Sequence, residues 1–388
     1  MLDSRSDTTT QFTLDADQVA IRDMARAFSD EVIAPHAVEW DEAKHFPVAE
    51  MRQAAALGMG GICIAEDVGG SGLSRLTATL IFEALATGCP TISAYMSIHN
   101  MTAGLIDTFG SDEQRRRWLP KLCAMEFLAS YCLSEPGAGS DAAALATRAT
   151  RDGDHYVLNG QKQFISGAGT SHLYVVMART GGEGPSGISA LMVPGDTPGI
   201  SFGANERKMG WNAQPTRAVT FQNARIPAGN RLGAEGGGFK IAMAGLDGGR
   251  LNIAACSLGG AQCAFDKTLA YMKDRKTFGK PLDAFQALQF RLADMATGLQ
   301  ASRTLLWHAA AALDRKDPQA TTLSAMAKRF VTDTCFDVAN QALQLHGGYG
   351  YLSEYGIEKI VRDLRVHQIL EGTNEIMRLI VARSLVGR

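Results

Sequence analysis

His155-Tyr156-Val157-Leu158-Asn159-Gly160-Gln161-Lys162-Gln163-Phe164-Ile165-Ser166 is the stretch on which the fold turns. Ahead of it, near residue 130, the hydrophobic period changes from helical to alternating, which places β structure in the middle of a chain whose two ends read as helices. Asn159-Gly160 suits the tight type I′ turn, so the stretch predicts a hairpin with arms 155–158 and 161–166. Further strands are predicted at 173–179, 188–193 and 217–226, separated by turns that contain Gly and Pro. Several short strands in one region predict a small antiparallel barrel or sandwich.

Upstream, Ile21, Met24, Phe28 and Val32 recur at helical spacing over 15–34, Asp15 and Gln18 match a capping box, and Pro35 is expected to stop the run. Helices are also expected near 49–57, 76–87 and 112–122, and Gly69-Gly70-Ser71-Gly72 reads as a turn because it lacks the Lys-Ser/Thr of a phosphate loop. After Gly236-Gly237-Gly238 the helical period returns. Phe285, Leu288, Leu292, Met295 and Leu299 form one stripe, Leu323, Met326 and Phe330 another, and Ala309 to Ala312 permit close helix packing. The expected class is α+β: an N-terminal α-helical domain over 1–129, a middle β domain over 130–236 and a C-terminal α-helical bundle over 237–388.

Of 388 residues, 46% are hydrophobic and 20% charged, the balance of a soluble globular protein with a sizeable core. A net charge of -2 gives no overall field for nucleic acid or an anionic membrane, and no apolar run is long enough to span a bilayer. The seven cysteines form no CxxC pair, which points to free thiols in a reducing compartment. The eight histidines form no HxxxH pair, so no metal site is expected. Met1 to Asp7 lack an apolar signal core, and the expected location is the cytoplasm, or the mitochondrial matrix for a processed eukaryotic form.

Five segments carry chemistry. In Gln368-Ile369-Leu370-Glu371-Gly372-Thr373-Asn374-Glu375-Ile376 a carboxylate stands beside a glycine at a helix start, with Thr373 as the cap. Glu371 is the candidate catalytic base; an ordinary helix-start acid is the plainer reading of the same pattern. Tyr131-Cys132-Leu133-Ser134-Glu135-Pro136-Gly137-Ala138-Gly139-Ser140-Asp141 offers hydroxyls and backbone N–H groups at the α/β junction, or is simply an interdomain loop. Phe164-Ile165-Ser166 adds a ring and a hydroxyl suited to a planar cofactor. Arg275 to Leu282 with Phe285-Gln286 supplies a cation, apolar contacts and an amide, and Gln344-Leu345-His346-Gly347-Gly348-Tyr349-Gly350 is a helix C-cap or a place for phosphate. His346 alone reads as a satisfied core histidine.

Taken in order and spacing, the SEPGAGSD loop, RKTFGKPL with FQ, QLHGGYG and VHQILEGTNEIMR resemble the acyl-CoA dehydrogenases over nearly the whole chain. Gly248 to Ala254, 288–290 with 292–297, and 210–212 with 214–219 are most similar to the members that act on isobutyryl-CoA. The resemblance implies an N-terminal α-helical domain, a central antiparallel β-barrel-like domain and a C-terminal four-helix bundle. It also implies FAD-dependent α,β-dehydrogenation of a short branched acyl-CoA, isobutyryl-CoA to methacrylyl-CoA, in a homotetramer built as a dimer of dimers, with electrons passed to electron-transferring flavoprotein. The rivals are a dehydrogenase for 2-methylbutyryl-CoA or butyryl-CoA, and a non-catalytic acyl-CoA-binding scaffold.

By position the resemblance makes Glu371 the base. It gives FAD to Tyr131, Cys132, Leu133, Ser134, Gly139, Ser140, Phe164, Ile165, Ser166, Thr373, Asn374 and Glu375 in one subunit. Arg275, Thr277, Phe278, Phe285, Gln286, Gln344, Gly347 and Gly348 would reach a neighbour's FAD. Ser140, Asp247, Gly248, Gly249, Arg250, Gly372 and Arg383 would contact or organise the acyl-CoA. Phe164 stands where many members have tryptophan. Some members carry the base immediately before the matching arginine; that position is Gly249 here, which leaves Glu371 as the carboxylate.

Overall fold

In the computed structural model, which describes residues 13–387, the Asp15 carboxylate caps the first helix by accepting the Gln18 N–H at 2.8 Å, and the Gln18 side chain returns the bond to the Asp15 N–H at 3.1 Å. The reading of Met1 to Asp7 lies outside the described residues. Helix α1 (Ala16–Phe28) does not stop at Pro35: a π turn (Ser29–Ile33) and a 3₁₀ turn (Ala34–His36) carry the chain into α2 (Ala37–Ala43). Proline is tolerated there because it sits in the opening of a new turn, where its missing N–H is not needed. Then come α3 (Val48–Ala56), α4 (Arg75–Gly88), α5 (Pro90–Phe109) and α6 (Asp112–Cys123).

The sequence pattern did not announce α5. It is buried on nearly all sides, so it has no amphipathic stripe, and its polar residues are satisfied inside. Asn100 donates to the Met59 and Met96 carbonyls and accepts the Ile62 N–H, while His99 lies between the Leu122 carbonyl and the Ala129 N–H. The last of these contacts ties the helix to the first strand. At the start of α4, the Arg75 and Leu76 N–H groups donate to the Asp314 carboxylate at 2.7 and 3.1 Å, and Ser74 caps Thr77.

The central sheet contains β1 (Ala129–Cys132), β2 (Arg148–Asp152), β3 (His155–Ser166), β4 (Leu173–Arg179), β5 (Ile188–Pro194), β6 (Ile200–Phe202), β7 (Thr216–Pro227) and β8 (Arg231–Leu232). Its order is β6-β7-β3-β2-β4-β5-β8, mainly antiparallel, with β1 parallel to β4 and one parallel bridge from β2 to β4. The expected hairpin at Asn159-Gly160 is not there: β3 runs straight through it, and the turn falls at Gly153, between β2 and β3. Gly160 instead serves a bulge against β7, at φ 140°, and a Cβ there would press on Thr147. A second bulge between Lys162 and Ile165 puts Phe164 at φ 60°.

The C-terminal part holds α7 (Gly238–Asp274), a small hairpin of β9 (Lys276–Thr277) and β10 (Lys280–Pro281), α8 (Gln286–Asp314), α9 (Ala320–His346), α10 (Ile357–Arg365) and α11 (Asn374–Val386). Helices α7, α8, α9 and α11 form the expected bundle, with the short α10 beside it and α4 and α5 against α7. Helix α7 is rich in small residues, and a Cβ at Gly259 would strike the Glu83 carbonyl, so the helices approach closely. The buried face of α9 is Ser324, Ala325, Ala327, Lys328, Val331 and Cys335, one step round from the expected stripe of Leu323, Met326 and Phe330, which is half-buried. Among the described residues no helix is long and apolar enough to cross a membrane.

Candidate active site

Glu371 lies in the turn between the 3₁₀ segment Val366–Gln368 and α11, at φ 53°, followed by Gly372 at φ 92°. A left-handed glutamate is an uncommon conformation that the surroundings must hold in place. Three groups hold it. The Thr373 hydroxyl caps α11 by accepting the Ile376 N–H; the Arg250 Nε donates to the Glu371 carbonyl at 3.4 Å; and the Lys328 Nζ donates to the Gly372 carbonyl at 2.8 Å and to Asn374 Oδ1 at 2.9 Å.

Both oxygens of the Glu371 carboxylate are buried and lack a hydrogen-bond partner among the described residues. Burial pushes the Glu371 carboxyl up to about 7, against the opposing charges of Lys328 and Arg250. A Cβ built on Gly249 would fall against Glu371 Oε2 and within 2.8 Å of the Met101 sulfur, so α7 leaves room for the carboxylate by having no side chain there. Arg250 is itself braced: its guanidinium donates to Asp247 Oδ1 at 2.7 Å, and Asp247 Oδ2 accepts the Thr321 hydroxyl at 2.7 Å. Gly248 packs under Arg75. Arg383 is exposed in the last turn of α11, nine residues past Asn374 and about 13 Å along the axis.

The loop after β1 is built on a buried ion pair. Lys162 Nζ donates to Glu135 Oε1 at 2.7 Å and to the Leu133 carbonyl at 3.0 Å, and Glu135 also accepts the Ala146 and Thr147 N–H groups. Burial alone would raise the Glu135 carboxyl, but the Lys162 charge and these bonds outweigh it and hold it below its ordinary value. The Gln163 N–H donates to the Ser134 carbonyl at 2.9 Å, so the loop lies beside Phe164, whose ring is 66% exposed. Gly139 and Ser140 are exposed, Ser134 and Ser166 half-buried. Tyr131 is half-buried and close enough to Glu371 for their charges to couple. Cys132 and Ile165 point into the sheet core and Asn374 is occupied by Lys328, Thr332 and Asp333, so these three can meet a ligand only through their backbone. Glu375 is exposed and paired with Arg378 at 3.1 Å.

A separate groove of about 660 Å³ brings together Arg275, Thr277, Gln344, Gly347 and Gly348, with Tyr271 and Arg291 added by the structure. Its rim is the β9–β10 tip: Phe278, at φ 48° and 93% exposed, meets Phe285 edge to face at 6.4 Å, and Gln286 is exposed just beyond. His346 is buried, stacked on Tyr271 and bonded to the Ala342 carbonyl at 2.8 Å, as a core histidine. Lys328 and Gln344 lie sixteen residues apart on α9, about 24 Å, so one chain does not bring the groove to Glu371. Lys328 was missed from sequence; its signal is a lone cation on a helix face otherwise made of small and apolar residues. Among the described residues no group of three or more metal-ligating side chains converges.

The N-terminal, middle and C-terminal domain models of the acyl-CoA dehydrogenases match residues 15–126, 130–224 and 236–386. The mitochondrial isobutyryl-CoA dehydrogenase of Dictyostelium discoideum is 57% identical over 96% of this chain and 90% of its own length. A chain solved in work on the electron transferring flavoprotein of Acidaminococcus fermentans and flavin-based electron bifurcation superposes with a TM-score of 0.95 at 39% identity, covering 97% of this chain and all of that one. A glutaryl-CoA dehydrogenase of Mycobacterium smegmatis, solved with FADH2, does so with a TM-score of 0.91 at 29% identity, covering 97% and 96%. Three matched domains in the order of this chain's helical, sheet and bundle parts, and relatives alike from end to end, place it in the acyl-CoA dehydrogenase family.

Proposed function

We propose that this chain oxidises isobutyryl-CoA to methacrylyl-CoA, with Glu371 as the base. The observation that carries the reading is the Glu371 carboxylate: buried, without a hydrogen-bond partner, raised to about 7 and held by a turn that two cations grip. A base poised near neutrality is matched to removing a proton from the carbon next to a thioester. Glu371 takes the α-proton. Its own N–H, which donates to no carbonyl among the described residues, is available to the thioester oxygen as negative charge builds there. Closure of the pocket over substrate excludes water and raises the proton affinity of Glu371 further.

The residues fit FAD. The exposed Phe164 ring beside the Ser134 carbonyl, Gly137 and Gly139 with open space where a Cβ would stand, and the groove at Arg275 and Gly348 suit a flavin, a ribityl chain and phosphates respectively. When bound, FAD accepts the β-hydrogen as hydride. Tyr131, Leu133, Ser134, Ser140 and Ser166 hold it in one subunit, and Arg275, Thr277, Phe285, Gln286, Gln344 and Gly348 reach the cofactor of the next. Asp247, Gly248 and Arg250 organise the acyl-CoA. The assembly is a dimer of dimers, the electron acceptor is electron-transferring flavoprotein, and the location is the cytoplasm, or the matrix for a processed mitochondrial form. The 57% identity to an isobutyryl-CoA dehydrogenase supports the substrate. Anaerobic titration of the yellow protein with a panel of acyl-CoAs tests it: isobutyryl-CoA should bleach the flavin fastest, and faster bleaching by butyryl-CoA or 2-methylbutyryl-CoA would reassign the substrate.

A further inference from the structure

We infer that Lys328 is the positioning residue of this site, gripping the turn that carries Glu371 and setting the pH at which Glu371 is free to take a proton. The inference rests on the reading of Glu371 as the base. Lys328 is a fully buried lysine in the middle of α9, and no carboxylate touches its ammonium. It donates to the Gly372 carbonyl and to Asn374 Oδ1, and Asn374 in turn donates to Thr332 and to Asp333. Arg250 reaches the preceding carbonyl, that of Glu371, from α7. Two cations on two helices thus take two successive carbonyls of a turn whose residues are both left-handed.

A buried ammonium satisfied by an amide oxygen and a peptide carbonyl keeps most of its charge to act on its surroundings. Glu371 is the group that receives it. The groups that act on the Glu371 charge are Lys328 from α9 and Arg250 from α7, which favour the carboxylate, with Tyr131 of β1 and Cys256 of α7 neutral nearby. Around Lys328 stand Glu371, Arg250, Asp333 and Glu375. Burial lowers Lys328 to about 8, with the Glu371 charge acting the other way, so at neutral pH the ammonium is still charged when Glu371 must be ionised. Burial drives Glu371 up; Lys328 limits the rise.

The test reads Glu371 directly. In infrared difference spectra of the holoenzyme across pH, the protonated-carboxyl band that Glu371→Gln removes reports the proton on Glu371. In the wild type its midpoint should lie near 7. Lys328→Met, which removes the buried charge and its two hydrogen bonds but keeps a chain of similar length, should move the midpoint up by roughly one unit. Flavin reduction by acyl-CoA should then fall more at pH 6.5 than at pH 8.5, and Lys328→Arg should restore the midpoint. Should Lys328→Met not yield folded protein, Lys328→Gln, which keeps a donor for Gly372 and loses the charge, gives the same reading. A midpoint unchanged within 0.3 units, or a rate lowered by one factor at every pH, overturns the inference. Retention of flavin reduction by Glu371→Gln would instead overturn the assignment of the base, and the infrared midpoint would still report on Lys328.

Discussion

The Glu371 turn and the Arg275–Gly348 groove differ in how much of each the single chain completes. At Glu371 the carboxylate oxygens are sealed in, two cations hold the backbone, and Gly249 has given up its side chain to make room. At the groove a phenylalanine stands 93% exposed at the tip of a two-residue ladder, and an added Cβ at Gly347, Gly348 or Gly279 would meet nothing. The first region is preorganised for chemistry, where a small misplacement is costly. The second has the features of a surface finished by another molecule. The Glu371 turn is thus complete within one chain, while the groove is left open along its rim.

The closed site is the more sensitive of the two to a single substitution. Glu371→Gln is almost isosteric and cannot accept the proton, so flavin reduction by isobutyryl-CoA should slow by about 10²–10⁴-fold with colour and fold retained. Stopped-flow traces within tenfold of wild type would send the proton elsewhere.

The same variant should be more stable. The folded-state value of Glu371 is raised from 4.5 to about 7, so between those values the folded chain keeps a proton that the unfolded chain has lost. Stability from this group is therefore greatest below pH 4.5 and falls as pH rises through 7. At pH 8 the ligand-free Glu371→Gln protein should exceed wild type by roughly 3 kcal/mol in urea melts, and should match it near pH 4. Equal stability at both pH values would mean that the carboxylate is better solvated than its burial indicates.

At the open end, Arg275→Ala should release flavin and loosen the oligomer together, at a cost of about 1.5–3 kcal/mol in cofactor binding, read by absorbance and sedimentation. A monomer with full flavin content would make the groove a private site. Phe278→Ser should change the melting of dissociated chains by no more than about 0.5 kcal/mol, because an exposed side chain contributes little there. It should still weaken assembly; unchanged assembly would leave the exposed ring without a partner.

The order of helices, strands and helices was legible because the hydrophobic period changes near residue 130 and again after Gly238. Helix α5 was not, since a helix buried all round shows no stripe and its Ser, Thr, Asn and His residues look like surface. Asn159-Gly160 misled for a related reason: the dipeptide supplies the φ freedom a turn needs, and β3 spends that freedom at Gly160 on a bulge. Motif residues such as Glu371, Phe164 and Gly348 could be named from local sequence. Lys328 and Met101 reach the Glu371 turn only through tertiary contact, from helices 43 and 270 residues away. The packing of Cys132, Ile165 and Asn374, which denies their side chains to a ligand, was equally out of reach.

The Asp314 carboxylate accepts the first two N–H groups of α4 across more than 230 residues. Those amides therefore have no protein acceptor until the far end of α8 has arrived, and in a nascent chain the opening turn of α4 must fray into water. Their hydrogen-exchange protection is a clock for docking of the C-terminal bundle onto the N-terminal helices. Arg75 and Leu76 should exchange freely before that event and slow down together when it happens, while Thr77, capped locally by Ser74, should gain protection earlier.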